Sequence, residues 1–300
     1  MARIVLGNRD GALALRQARE VLEQLTDEWP DVNFALRTIK NGDADARVAS
    51  EADPLLGALG RGDIGVAVVQ LETLPFALPE DMTLAAVARR PEPRSALVTK
   101  GGRRLEDLQP GARVGVHGRR DAAFFGGQHG GLEVVEVSGQ LDADLKLLTA
   151  GDLDALLVSA AKLLALDHRN RLDTVLEPEA FAPAPGQGAL GFLVRADDDL
   201  AFEVAYSLQH RPSFDRVRAE RSFARSLEHG DGDAAACADC VVGALASVTD
   251  DGELTLFGAV VQGGAGGSTT LQASVSGEAK EAEELGRELA ADVRAQLDAL

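Results

Sequence analysis

Cys237 and Cys240, in a Cys-Ala-Asp-Cys run, are the only cysteines among 300 residues. That spacing can serve dithiol–disulfide exchange, half of a metal site, or a nucleophilic thiol. Redox use places the motif at a helix start beside a βαβ unit, but here an apolar, strand-like run follows. Zinc needs a second ligand pair, and only His229 is near; no His-Glu-x-x-His and no second cysteine pair occurs. A buried inert pair is the structural reading. The favoured reading is a thiol exposed on a loop, where it can be alkylated or carry a covalently attached group. Two cysteines cannot build a disulfide framework.

Anion binding is the second chemistry. Arg119 and Arg120 follow a short apolar run at 113–116 and enter a helical pattern, and Arg9 holds the same place after the run at 3–7. Ligands in open α/β sheets bind beyond the carboxyl ends of strands, where guanidinium groups and helix N-terminal amides converge on carboxylates. A solvated Arg pair is the structural reading, because Arg is mostly exposed. The setting makes these cations informative. Asp and Glu number 48 against 30 Lys and Arg, a formal charge of -18. Such a chain repels nucleic acid and anionic membranes at long range, and a polyanionic substrate must be met by Arg concentrated locally.

Gly186-Gln187-Gly188-Ala189-Leu190-Gly191 spells G-x-G-x-x-G. A dinucleotide fingerprint needs a strand before it and a helix after it. Here prolines precede and strand character follows, so the run reads as a glycine-rich crossover between domains.

The elements that must position these residues follow from periodicity. Strands are expected at 3–7, 34–39, 64–70 and 83–88, with a helix from Ala12 to about Trp29. A second set follows Pro91 and Pro93: strands at 113–116, 132–137, 154–158 and 189–195, helices at 141–150 and 160–166. Strands alternating with helices predict parallel α/β sheets. The last ninety residues differ: an amphipathic helix at 214–227, three meandering strands at 241–248, 254–262 and 268–275, and a helix from 279. No run of 18 apolar residues occurs, and the apolar N-terminal stretch is too short for a signal peptide. A soluble cytoplasmic protein is expected.

Taken in order, these segments resemble the hydroxymethylbilane synthase family, also called porphobilinogen deaminase. Asn8-Arg-Asp-Gly-Ala-Leu-Ala-Leu-Arg-Gln-Ala18 is similar to its T-R-x-S-x-L-A-L-x-Q-A opening, and Lys40-Asn-Gly-Asp43 to T-x-G-D. Residues 65–75 resemble D-[IL]-A-V-H-S-x-K-D-x-P, Pro93-Arg94-Ser-Ala96 resembles P-R-[DE]-A, and 115–120 resemble G-T-[SA]-S-x-R-R. Asp154-Ala-Leu-Leu-Val158, with Ala161 and Leu166 after it, resembles D-A-x-x-L-A-x-A-G-x-x-R-L. The most specific segments are 183–191, similar to P-A-x-G-Q-G-A-[LI]-[GA], and Ala219-Glu-Arg221 to Leu227-Glu228, similar to the A-E-R-x-x-x-x-x-L-x-G-G-C approach to a cofactor cysteine. The likeness spans nearly the whole chain.

The resemblance implies an α/β fold with two lobes of the periplasmic-binding-protein type and a C-terminal α+β domain. The lobes would be 1–90 with 184–210, and 91–183; the domain at 211–300 would carry the cysteine. It implies a transferase of heme and tetrapyrrole biosynthesis, a monomer in the cytoplasm, with no metal, nucleic-acid or membrane partner. Four porphobilinogen units would be deaminated and joined head to tail on a dipyrromethane attached to Cys237, or as second choice Cys240, to give hydroxymethylbilane. Arg9, Arg119 and Arg120 would clamp carboxylates; Gly11 and Gly139 carry over with their segments; Gln187 and Gly188 would shape the cleft at the crossover.

The departures matter as much. The family's catalytic Asp falls on Thr73, which cannot ionise as a carboxylate does. Glu72 is the neighbouring candidate for its place. Two Arg of an R-G-N-x-x-T-R segment fall on Ser138 and Asp144; a third falls on Ala165, with Arg169 a possible substitute one helical turn later. Two readings follow: an enzyme in which Glu72 or another acid replaces the Asp, or a non-catalytic paralogue that binds a pyrrole or another small polycarboxylate. A generic two-lobe binder of another small anion is a weaker third.

Overall fold

The computed structural model describes residues 2–40, 53–172, 174–230, 237, 240–264 and 267–299. Asn41, Gly42 and Asp43 of the expected motif, part of the shortened segment after them, and the loop at 231–236 lie outside these. In chain order the elements are β1 (Ala2–Arg9), α1 (Ala12–Glu28), β2 (Val32–Ile39), α2 (Pro54–Gly60), β3 (Val66–Gln70), β4 (Met82–Val87), β5 (Ser95–Thr99), β6 (Arg113–Val116), α3 (Gly118–Gln128), β7 (Glu133–Glu136), α4 (Leu141–Ala150), β8 (Ala155–Ser159), α5 (Ala160–Ala165), β9 (Thr174–Val175), β10 (Leu190–Arg195), α6 (Asp199–Tyr206), α7 (Arg211–His229), β11 (Cys240–Val248), β12 (Glu253–Gly264), β13 (Gly267–Glu278) and α8 (Ala282–Asp298). The chain divides into two compact units, Met1–Arg90 with Ala189–Phe214, and Pro91–Gly188 with Asp215–Leu300.

The first unit is built on a five-stranded sheet of order β2-β1-β3-β10-β4. Its strands read Val-Ala-Val-Val and Ile-Val-Leu because both faces are covered. Ile4, Leu6, Val66, Val68, Phe192 and Val194 share a core with Ala18, Val21 and Leu25 of α1 and Ala201, Val204 and Ala205 of α6. Pro30 disfavours helical backbone at Trp29, where α1 ends. β1 runs parallel to β2 and β3, but β10 runs antiparallel to β3 and β4. The sheet is therefore mixed rather than parallel. A strand reached through a single crossover helix is held parallel; β10 enters the sheet only after the whole Pro91–Gly188 segment, so no such crossover sets its direction.

The second unit repeats the plan with order β7-β6-β8-β5-β9, β6 lying parallel to β7 and β8 and β5 antiparallel to β8. It also holds the three-stranded antiparallel sheet β11-β12-β13. Period-2 alternation on β12 gives that sheet two buried faces. Ala259 and Val261 join Phe124, Phe125 and Phe181 in the core around α3, whereas Leu254, Leu256 and Val260 meet Phe223 of α7 and Leu289 of α8. The expected fold class, two α/β lobes followed by an α+β module, is the one found. No helix of the described residues is long and apolar enough to cross a membrane.

Helices α7 and α8 meet at Gly286. A Cβ there would lie 2.6 Å from the Ala219 carbonyl oxygen and 2.7 Å from the Phe223 amide nitrogen. Both are backbone atoms, which cannot swing away. Gly286→Ala is expected to lose about 1–3 kcal/mol of stability through overpacking, read as a lower urea midpoint; an unchanged midpoint would show the helices to be looser than this.

Candidate functional site

In the first unit the carboxyl ends of β1 and β3 lie side by side, as the parallel pairing Leu6↔Val66 to Asn8↔Val68 requires. Arg9 closes β1, and its guanidinium is ion-paired with Asp53, which also accepts from the Leu55 amide. The cation expected to clamp a ligand carboxylate thus holds a carboxylate of the chain's own. Gly11 precedes α1 with φ 131°, and a side chain there would meet open space. Beyond β3 the chain makes a single 3-10 turn, Leu71–Thr73. Thr73 is exposed and its hydroxyl donates to the Gln70 carbonyl at 2.8 Å. Glu72 is half-buried and engaged by protein groups.

The corresponding edge of the second unit collects more groups. β6, β7 and β8 each turn directly into a helix, so α3, α4 and α5 present their N-termini beside the strand ends. Arg119 and Arg120 occupy the first turn of α3, as the sequence predicts. They separate there. Arg119 is exposed and makes no ion pair to a described residue. Arg120 is half-buried: it pairs with Asp121 at 2.7 Å, donates to the Val242 carbonyl at 3.1 Å and to the Ala182 carbonyl, and lies over the rings of Phe124 and Phe181 at 4.9 and 5.4 Å. It fastens α3 to β11. Gly139, with φ 80°, sits between β7 and α4 and its carbonyl accepts from Lys162. Arg169 is exposed in a short turn after α5.

Three residues at this edge were not among the expected site. The Asp144 carboxylate is buried, with 1% of its side chain exposed; it accepts from the Ser138 hydroxyl at 2.7 Å and from His117 Nε2 at 3.1 Å. Ser138 and Asp144 register in the sequence only as cations lost, and His117 only as one of five scattered histidines. The usable signal is position: His117 directly follows β6, one strand from the segment carrying the other two.

The glycine-rich crossover is held by side chains. Gln187, 7% exposed, donates through Nε2 to the Pro93 carbonyl at 2.7 Å and to Ser95 Oγ at 3.1 Å, tying the end of the Pro91–Gly188 segment to its beginning. Gly188 has φ 71°, and a Cβ there would lie 2.7 Å from that of Ala161. Glu220 of α7 is fully buried and accepts from the Gly186 amide at 2.7 Å and the Ala246 amide at 2.9 Å. The next residue, Arg221, is buried too; desolvation, and then the nearby Arg225, bring its pKa down to about 10.

Cys237 and Cys240 are joined as a disulfide. This corrects the expectation of a free loop thiol. The Cys240 amide donates to the Cys237 carbonyl at 3.2 Å, and their Cα atoms lie 5.4 Å apart, within disulfide reach. Cys237 follows α7, its amide donating to the Leu227 carbonyl, and Cys240 opens β11.

A family model described as porphobilinogen deaminase, dipyromethane cofactor binding domain, matches residues 4–203. The chain belongs to the porphobilinogen deaminase family. Porphobilinogen deaminase of Thermus thermophilus is 42% identical over 299 residues, covering 98% of this chain and 96% of its own. That of Deinococcus deserti is 36% identical over 312 residues, covering 99% and 96%. Among solved structures, a putative methionine-binding lipoprotein of Bacillus subtilis aligns with TM-score 0.46 and 13% identity, over 69% of this chain and 90% of its own. Membership makes the chain a hydroxymethylbilane synthase, a transferase of tetrapyrrole biosynthesis, with dipyrromethane as the family cofactor. Porphobilinogen deaminase chemistry needs one free thiol for that cofactor and cations for its carboxylates. Cys237 or Cys240 supplies the sulfur once the disulfide is reduced. Arg119 supplies an open cation on the helix that Arg120 fastens to the strand beginning at Cys240. The residues present fit the group.

Proposed function

We propose that the chain joins four porphobilinogen units head to tail on a dipyrromethane held by Cys237, releasing hydroxymethylbilane, and that it works as a cytoplasmic monomer. The observation that carries this residue-level reading is the division of roles in α3: Arg120 fastens the helix to the strand that Cys240 opens, while Arg119, next to it, is exposed. Cys237 is preferred because it leaves β11 nearly in register with the family pattern. Bound there, the cofactor supplies the pyrrole on which units are added. Arg119 and Arg169 take substrate carboxylates, and Arg9 does so by exchanging Asp53 for one. Gly11 and Gly139 leave room for backbone approach, Gln187 and Gly188 fix the crossover, and Glu72 is the acid nearest the family's Asp position. The segments 1–90 with 184–210, 91–183 and 211–300 act as three domains.

A second reading, a non-catalytic paralogue that binds a pyrrole or small polycarboxylate, is favoured by one observation: Thr73 stands at the Asp position with its hydroxyl bonded back to Gln70. Intact mass and turnover of the purified protein separate the two. The first expects a mass above the 31.4 kDa polypeptide by one dipyrromethane, and tetrapyrrole formed from porphobilinogen. An unmodified mass without product supports the second.

A further inference from the structure

We propose that His117, oriented by Asp144, is the proton acceptor of the condensation. The inference rests on the porphobilinogen reading above and names a residue for a step that Thr73 cannot perform.

The geometry begins with a carboxylate that has no reason to be buried for stability alone. Removing a charge from water costs several kcal/mol in effective terms, repaid only by good partners. Asp144 has the N-terminal turn of α4, the Ser138 hydroxyl and the imidazole of His117. A carboxylate can only accept, so His117 donates to it from Nε2–H. That bond fixes the tautomer and leaves the lone pair on Nδ1. Nδ1 bonds to no described residue, and a quarter of the His117 side chain is exposed, at 25%. The imidazole stands at the carboxyl end of β6, in the crevice position of an open α/β sheet and two residues before the exposed Arg119. A carboxylate that orients an imidazole whose other nitrogen is open is the arrangement of a general base and its orienter.

The charged groups around it are few. On α3 they are Arg119, Arg120 and Asp121; at the end of β7, Glu136, which lies against Gly118; on α4, Asp142, Asp144 and Lys146; on α5, Lys162. Arg120 is paired with Asp121, Asp142 with His168, and Lys162 with the Gly139 carbonyl. Among the described residues, Asp144 is the one that bonds the ring.

The chemistry balances as follows. The substrate aminomethyl group, as its ammonium, loses ammonia when its C–N bond breaks. A new C–C bond joins that carbon to the free α carbon of the preceding pyrrole. The α carbon then gives up its hydrogen as a proton, which His117 Nδ1 accepts. The imidazolium passes it to the departing ammonia, so each addition ends with one ammonium ion and a neutral ring.

His117→Gln is the decisive variant, because the Gln amide can still donate to Asp144 where Nε2 did, yet cannot titrate. It is expected to lower kcat about 10²–10³-fold, the worth of a positioned general base, with KM little changed. With the proposed base removed, the pH–rate profile of the variant is expected to differ in shape from that of the wild type. A second readout does not depend on turnover. Long-range ¹H–¹⁵N spectra of the wild-type holoprotein, with His117 assigned from the variant or from His117→Asn, are expected to show Nε2–H with Nδ1 unprotonated. Asp144→Asn is expected to mix the tautomers. An Nδ1–H tautomer in the wild type, or His117→Gln with wild-type kcat and pH profile, overturns the proposal while leaving the family reading intact. Wild-type protein with neither adduct nor product overturns both.

Discussion

Replacing Cys237 by Ser is expected to return the intact mass to that of the bare polypeptide and to abolish tetrapyrrole formation. The attachment is a carbon–sulfur bond, and a hydroxyl cannot stand in for a thiolate as its nucleophile. The expected loss is on the order of 10⁴-fold or more, the scale seen when a covalent residue is removed outright. Cys240→Ser is expected to keep both adduct and activity. It carries a further expectation. While Cys237 is bonded to Cys240 its sulfur is not a thiolate, so the unloaded wild type should take up cofactor faster after treatment with a dithiol, and Cys240→Ser should need none. An adduct lost in Cys240→Ser and kept in Cys237→Ser would move the attachment to Cys240 and leave the rest of the site as described.

The second large effect is on stability. Glu220→Ala strips the hydrogen-bond acceptor from two buried backbone amides, those of Gly186 and Ala246. An orphaned buried donor costs about 1–3 kcal/mol, and an emptied side-chain volume adds to it, so about 3–6 kcal/mol is expected. Domains carry only about 5–15 kcal/mol in total, so the variant should be partly unfolded at 37 °C. Glu220→Gln, which keeps one acceptor and sets an NH₂ against the other amide, should fall between. Equilibrium urea unfolding measures both. A Glu220→Ala midpoint equal to wild type would mean that water satisfies those amides and that the residue is no tie.

Regular elements were the most legible part of the chain. Seventeen residues of apolar period marked α1, and the continuous run of β3 marked a strand covered on both faces. Two elements escaped: α2, which lies inside the segment read as shortened, and β5, which directly follows the Pro93-Arg94 boundary. The direction of β10 could not be read either, since alternation records which faces are covered and not which way a strand runs. At the site, residue type identified Arg119 and Arg120 as cations but could not tell which one would be absorbed by Phe124, Phe181 and the Val242 carbonyl. The contact between His117 and Asp144 spans 27 residues, with α3 and β7 between them, and only the fold brings such a pair together. Ser138 and Asp144, which looked like losses when matched against motifs, bond to each other once the chain is folded, and Asp144 gains His117 as a second partner.

The placement of β10 also sets a timetable. This strand lies between β3 and β4 in the first sheet, yet more than a hundred residues separate it from β4 along the chain. At about 5–20 residues per second, a ribosome needs roughly 5–20 s to cover that distance. Through that interval β4 has no neighbour and β3 offers an open edge of Val-Ala-Val-Val. The five strands of the second sheet, by contrast, are all synthesised by Val175. Of the two five-stranded sheets, the one whose strands begin first is therefore the last that can close. Nascent chains arrested between residues 175 and 190 are where its exposed edge should be most open to aggregation or to a chaperone.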